Sequence, residues 1–287
     1  MTKQAFAGAA RETLSGAYPE RPILLDHGLV GHPLLELDAL VELARRIRPV
    51  DAEYNRGDLP VGLDPAQTPA NGLSAEETLR SIEQCGSWMV LKFVEQDPVY
   101  RALLHEILAE LEDTVRPTTG AMLKREGFIF VSSPGAVTPF HFDPEHNILL
   151  QIRGRKTMTV FPADDESLVS AEAHEAFHDG GHRNLGWRDD FAGCGTPFEL
   201  DPGRALYVPV KAPHWVQNGP EVSISLSITW RSEWSYREEY ARRMNALLRR
   251  TGLRPASPGR FPSQNHLKSL GYRAIEKAKR VTGLDGR

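Results

Sequence analysis

The chain has 287 residues, 40 % hydrophobic and 25 % charged, with 24 Gly, 21 Pro and a formal net charge of −4. These proportions exclude disorder, collagen-like repeats and a disulfide scaffold, and they allow a sizeable core in one large domain or two small ones. No uncharged apolar run reaches the ~18 residues of a membrane span, Met1–Ala10 carries no apolar h-region, and only Cys85 and Cys194 are cysteines, so a reduced, cytoplasmic protein is expected.

The first third reads mainly as helices. Leu35, Leu37, Leu40, Val41, Leu43, Ala44 and Ile47 recur at helical spacing until Pro49. Asn55 to Gly72 is a Gly/Pro-rich loop, and Ser74-Ala-Glu-Glu77 matches a capping box opening a helix through about Gln84. Trp88 to Val94 reads as a strand. Asp97-Pro98 then opens a helix with proline at its first position and Leu103, Leu104, Ile107, Leu108 and Leu111 on its buried face.

From Gly127 the period changes. Phe128–Val131, Asn147–Ile152, Thr157–Phe161, Ala205–Val208 and Val222–Trp230 are short β-rich runs separated by turns such as Ser133-Pro-Gly135 and Asp201-Pro-Gly203. The last alternates strictly: Val222, Ile224, Leu226, Ile228 and Trp230 share one face, Ser223, Ser225, Ser227 and Thr229 the other. Strands at this spacing, mostly without intervening helices, predict an antiparallel barrel or sandwich. Asp164 to Phe198 is an insertion of mixed character.

After Glu233 the pattern returns to helix. Tyr236–Leu248 places Tyr240, Met244, Leu247 and Leu248 on one side, with Arg242, Arg243, Arg249 and Arg250 around the other. Leu267–Val281 carries the apolar stripe Leu270, Ala274, Ile275 and Ala278. From Arg237 onward thirteen Lys/Arg face four Asp/Glu, a balance of +9, so the first 236 residues carry −13. No nucleic-acid motif accompanies this basic tail, which is expected to meet an acidic body, its own or a second copy's, rather than nucleic acid.

Two metal patterns compete. His174-Glu175-Ala-Phe-His178 is a literal H-E-x-x-H, whose histidines one helical turn apart can hold zinc beside a glutamate general base. Its helix, about Glu166 to Phe177, is cut short by Asp179-Gly-Gly181, and His182 falls four residues after the second histidine, where the elongated zinc-protease motif needs six. A surface helix with solvated histidines is the plainer expectation. The second pattern is His141-Phe142-Asp143 with the later His214. Residues i and i+2 of a strand point to one side, so His141, Asp143 and a histidine from a neighbouring strand can form a two-His-one-carboxylate iron site.

The surrounding residues carry a resemblance. Thr138-Pro-Phe-His141-Phe-Asp143-Pro-Glu-His-Asn147-Ile-Leu-Leu-Gln151-Ile-Arg-Gly154-Arg-Lys156, with Tyr207-Val-Pro-Val-Lys-Ala-Pro-His214-Trp215, resembles the core of the JmjC/cupin-like Fe(II)/2-oxoglutarate-dependent oxygenases. Within them it is most similar to the factor-inhibiting-HIF-type asparaginyl hydroxylase branch. The resemblance covers roughly Phe128 to Trp230. It implies a mainly β, double-stranded β-helix (jelly-roll, cupin/JmjC-like) fold with a helical N-terminal segment (1–120), a catalytic core (121–235) and basic C-terminal helices (236–287), forming one structural unit.

It also implies His141, Asp143 and His214 as ligands of Fe(II), and Thr138, Asn147 and Lys156 as 2-oxoglutarate-binding residues. Activity would be a dioxygenase reaction with O2, most simply hydroxylation of a protein side chain or small molecule, with no catalytic residue beyond the metal ligands. The physics agrees with Lys156, because a buried carboxylate needs a cation; Arg153, Arg155 or Lys211 would be next in line. No membrane partner is expected; the branch implies a homodimer through the C-terminal helices, the alternative being that both helices cap the barrel of their own chain. A non-oxygenase metal-binding cupin, or a zinc peptidase using His174, Glu175 and His178, are the alternatives.

Overall fold

The computed structural model describes residues 4–62 and 67–283; 63–66, within the expected Asn55–Gly72 loop, lie outside the described residues. Helix α1 (Gly8–Ala17) leads into strand β1 (Ile23–Asp26), helix α2 (Leu37–Arg46) and strand β2 (Ala52–Arg56). Ser74 opens helix α3 (Ala75–Arg80) with the expected capping box: its hydroxyl accepts from the Glu77 N–H, and Glu77 reaches back to the Ser74 N–H. Strand β3 (Ser87–Lys92) follows. Helix α4 (Pro98–Ala109) starts where Asp97 accepts hydrogen bonds from the Val99 and Tyr100 amides, and helix α5 (Glu112–Thr119) completes the segment.

The N-terminal third is therefore more than helical. β1, β2 and β3 are recruited into a seven-stranded antiparallel sheet with order β1-β9-β6-β11-β4-β3-β2. Its remaining members are β4 (Leu123–Ser132), β6 (His146–Arg153), β9 (Arg204–Val208) and β11 (Ser223–Arg231). β1 (Ile-Leu-Leu-Asp) does not alternate in polarity, and β2 (Ala-Glu-Tyr-Asn-Arg) alternates over only four residues, with Ala52 and Tyr54 against the core; both are short edge strands. The second sheet runs β5-β10-β7-β8, from β5 (Val137–His141), β7 (Lys156–Val160), β8 (Thr196–Leu200) and β10 (His214–Asn218). Facing antiparallel sheets make the expected jelly roll.

Both faces of β11 are buried, against different surroundings. Ile224, Leu226, Ile228 and Trp230 join Ile148, Leu150 and the apolar faces of α1, α2 and α4 in the largest core cluster. Ser223, Ser225, Ser227 and Thr229 turn into the barrel. There Ser225 donates to Gln151 Oε1 (2.6 Å) and Ser227 to Asn147 Oδ1 (2.8 Å). The lumen is thus polar along β11 and apolar where Leu149, Met158, Val160, Leu206, Val208 and Val216 meet.

Helix α6 (Ala171–His178), in the insertion, starts five residues later than expected because Ser170 caps it. Its histidines are not solvated: His174, Glu175 and His178 are 3 %, 3 % and 6 % exposed, covered by helix α7 (Glu233–Arg250). On α7 the face turned to the protein is Trp234, Glu238, Ala241, Arg242 and Asn245, so Arg242 is buried rather than solvent-facing. The expected stripe of Tyr240, Met244, Leu247 and Leu248 is half-buried; Tyr240 stacks on Tyr272 of helix α8 (His266–Thr282), and Met244 packs where Gly271 permits close approach. The basic tail pairs with its own body: Arg249 with Glu172 and Glu175, Arg250 with Asp179, Arg260 with Glu20. Leu267 and Val281 of α8 are 88 % and 80 % exposed.

Candidate metal centre

His141 ends β5 and His214 begins β10, and the two are direct cross-strand partners. Their rings lie 4.2 Å apart, and Asp143, just beyond β5, places Oδ2 3.9 Å from His141 Nε2 and 3.7 Å from His214 Nε2. Among the described residues this is the one group of three or more His, Cys, Asp or Glu whose ligand atoms all lie within 4.8 Å of one another. Each imidazole is oriented by its other nitrogen: Nδ1 of His141 bonds to the Pro139 carbonyl (2.7 Å) and Nδ1 of His214 to the Ala212 carbonyl (2.9 Å). Nδ1 is then the N–H donor, and both Nε2 lone pairs are left to converge.

The electrostatics suit a cation. Burial, helped by His214, pushes His141 down to about 3, so it is neutral at pH 7. Burial alone would raise the Asp143 carboxyl, but Arg183, His141 and His214 outweigh it and hold it below the ordinary carboxylate value. Two imidazoles and one carboxylate form the donor set of a facial triad. Arg183 Nη1 sits 2.5 Å from Asp143 Oδ1. It comes from the insertion, where Arg183 O accepts from Phe142 N and Leu185 N bonds to Phe140 O, laying the segment along β5. No motif marked Arg183. Glu145 was also missed; burial and then the Asp143 charge push its carboxyl up to about 7.

The other singled-out residues line the same lumen. Thr138 and His141, three apart, would point oppositely on a regular strand. An irregularity in the β5–β10 register, with Pro139 inside it, pairs Thr138 with Val216, which shares the inward face with His214. Asn147 is buried on the inward face of β6; its Oδ1 accepts from Ser227, and its Nδ2 makes no hydrogen bond among the described residues. Lys156 opens the inward row Lys156–Met158–Val160 of β7, 6 % exposed, with no hydrogen bond or ion pair among the described residues. Burial alone pulls its ammonium down to about 7. Gly154, at φ +64°, makes the preceding turn; a Cβ there would meet the Val222 carbonyl at 2.4 Å.

The alternative pattern does not assemble. Glu175 is ion-paired with Arg249 (2.8 Å), His182 is exposed, and no third ligand joins His174 and His178 among the described residues. Lys211, a reserve cation for an anionic ligand, is already paired with Glu238.

An antiparallel jelly roll with a His–Asp–His cluster at one mouth defines a metal-site cupin. The chain belongs to the Cupin-like domain family, whose pattern matches residues 93–236, just over half of it. A 109-residue stretch is 29 % identical to Lysine-specific demethylase JMJ30 of Arabidopsis thaliana; it covers 34 % of this chain and only 24 % of that protein's length. Among solved structures, E. coli YcfD superposes with a TM-score of 0.53 at 18 % identity, covering 98 % of this chain and 69 % of that one. A second structure, of YcfD, a ribosomal oxygenase from E. coli, with cobalt and 2-oxoglutarate, gives 0.51 at 18 % identity, covering 98 % and 68 %. At that identity the likeness is one of fold.

Proposed function

We propose that this protein is an Fe(II)- and 2-oxoglutarate-dependent oxygenase, with His141, Asp143 and His214 as the metal ligands. The observation that carries the reading is Lys156: a buried ammonium without a carboxylate partner among the described residues, in the same lumen as the triad, fits a dicarboxylate that chelates the metal at one end. The fold's likeness to a ribosomal oxygenase solved with cobalt and 2-oxoglutarate supports it.

When bound, iron with 2-oxoglutarate supplies O2 activation coupled to decarboxylation, yielding succinate and CO2. The chain's residues do the positioning. The Pro139 and Ala212 carbonyls hold the imidazoles, Lys156 binds the distal carboxylate, and Thr138 and the Asn147 amide offer donors beside it. The apolar lumen around Met158 and Val216 excludes water.

Hydroxylation of a protein side chain or small molecule is the proposed outcome. The names of both relatives, a ribosomal oxygenase and a lysine demethylase, favour a protein substrate, and the asparaginyl hydroxylase branch rests on the motif from Thr138 to Lys156. The test is succinate formation from 2-oxoglutarate with Fe(II) and no prime substrate. Slow uncoupled turnover is expected; metal binding without any turnover would instead make this a non-oxygenase cupin. We also propose that two copies pair through the exposed Leu267, Leu270 and Val281 of α8. Light scattering should give a dimer mass at micromolar concentration, and a monomer refutes it.

A further inference from the structure

Behind the metal centre lies an ionic group that the proposed reaction does not use. Lys211, in the loop between β9 and β10, is 1 % exposed, and its Nζ sits 2.9 Å and 3.1 Å from the two Glu238 oxygens on α7. Glu238, also 1 % exposed, accepts from Arg242 Nε at 2.8 Å, and Arg242 is 4 % exposed. Lys211 adopts φ +59°, the left-handed region that a side chain disfavours. In that conformation its N–H donates to the Asp143 carbonyl at 2.7 Å. The next residue, Ala212, supplies the carbonyl that orients His214. One strained residue therefore touches the main chain of one ligand and adjoins the group that aims another.

A buried ion pair contributes little net stability compared with an apolar replacement, and a left-handed non-glycine residue costs some. Their coincidence in the loop that spans two ligands needs another reason. We propose that Lys211 and Glu238 are positioning residues: α7, through this ion pair, sets the Asp143 main chain and the His214 loop at the separation that a metal requires. The inference rests on the metal-site reading above. It makes helix α7, which supplies none of the three candidate ligands, part of the metal centre.

The test is Co(II) titration of the full chain, followed by the visible spectrum of the bound ion, with thermal melts in parallel. Lys211→Met should weaken Co(II) binding about 10- to 100-fold, the usual effect of losing a partner that orients a ligand, and should shift the spectrum. Lys211→Arg should recover most of both. The triple variant Lys211→Met, Glu238→Leu, Arg242→Met leaves no unpaired charge; it should melt close to wild type yet bind Co(II) as weakly as Lys211→Met, and it carries the test if the single variant fails to fold. Wild-type affinity and spectrum in these variants, whatever their melting temperatures, overturn the proposal. Asp143→Ala is the control that abolishes binding. A wild-type protein that binds no Co(II) overturns the metal-site reading itself, and this inference with it.

Discussion

Two histidine pairs lie back to back across the end of β5. His141 and His214 face the lumen, while His174 packs its ring 5.0 Å from Phe142, the residue between the two ligands of the H-x-D motif. Each pair has a carboxylate nearby, and the H-E-x-x-H pair has the more regular spacing along the chain. Only the first converges. Its imidazoles are each fixed by a backbone carbonyl, whereas His174 Nδ1 and His178 Nε2 are buried with no hydrogen-bond partner among the described residues and Glu175 is held by Arg249. Periodicity places side chains on one face of an element; a site also needs strands in register and a second hydrogen bond to aim each ligand.

The comparison breaks most directly by removing one carboxylate. Asp143→Ala should abolish divalent metal binding and succinate formation while the protein stays folded, and His174→Ala should keep metal affinity near wild type while losing about 1–3 kcal/mol of stability with its packing. Metal titration and melts of both variants check this, and the reverse pattern would move the site to α6. Next in size, Lys156→Ala should weaken 2-oxoglutarate binding by about tenfold to 150-fold, the ~1.5–3 kcal/mol of one charge-assisted contact, with Co(II) affinity unchanged. Equal apparent 2-oxoglutarate constants in the two proteins would sink that role.

A third effect concerns pH. Burial, then Lys211, pulls His174 and His178 each down to about 2; Arg242 adds to the pull on His174, Arg231 and Arg243 to that on His178, and Glu238 opposes both. Unfolded imidazoles titrate near 6.5. Below that pH the unfolded chain takes up protons that the fold refuses, so stability falls as pH drops and is unaffected well above it. The pair's share is about 2–3 kcal/mol lost by pH 5.5. Urea melts of wild type and of a His174→Gln, His178→Gln double variant at pH 7.5 and 5.5 should show a shallower pH dependence in the variant; identical slopes would mean the buried histidines are not the cause.

Much of the core was legible. The β4, β6, β7, β9 and β11 strands announced themselves by β-rich runs between turns, and the triad by its neighbours from Thr138 to Lys156. What stayed hidden depends on tertiary pairing. β1 has no alternation, that of β2 spans only Ala52 to Asn55, and Arg183 reaches Asp143 from an insertion without a motif. The face of α7 that meets the body is largely polar, with Glu238, Arg242 and Asn245 on it, so an apolar stripe ringed by arginines did not reveal it. Thr138 joins the lumen only through a register irregularity that spacing does not reveal.

The two-faced burial of β11 has a consequence for how this protein can change. Its outward residues, Ile224, Leu226, Ile228 and Trp230, share the core cluster with the N-terminal helices, while its inward Ser225 and Ser227 hydrogen-bond to Gln151 and Asn147 of the lumen. Exchanging a lumen serine removes no contact from the large core. Changes to the lumen side of this nine-residue strand therefore act on the hydrogen bonds of Gln151 and Asn147, and changes to its other side on the packing that holds the barrel wall.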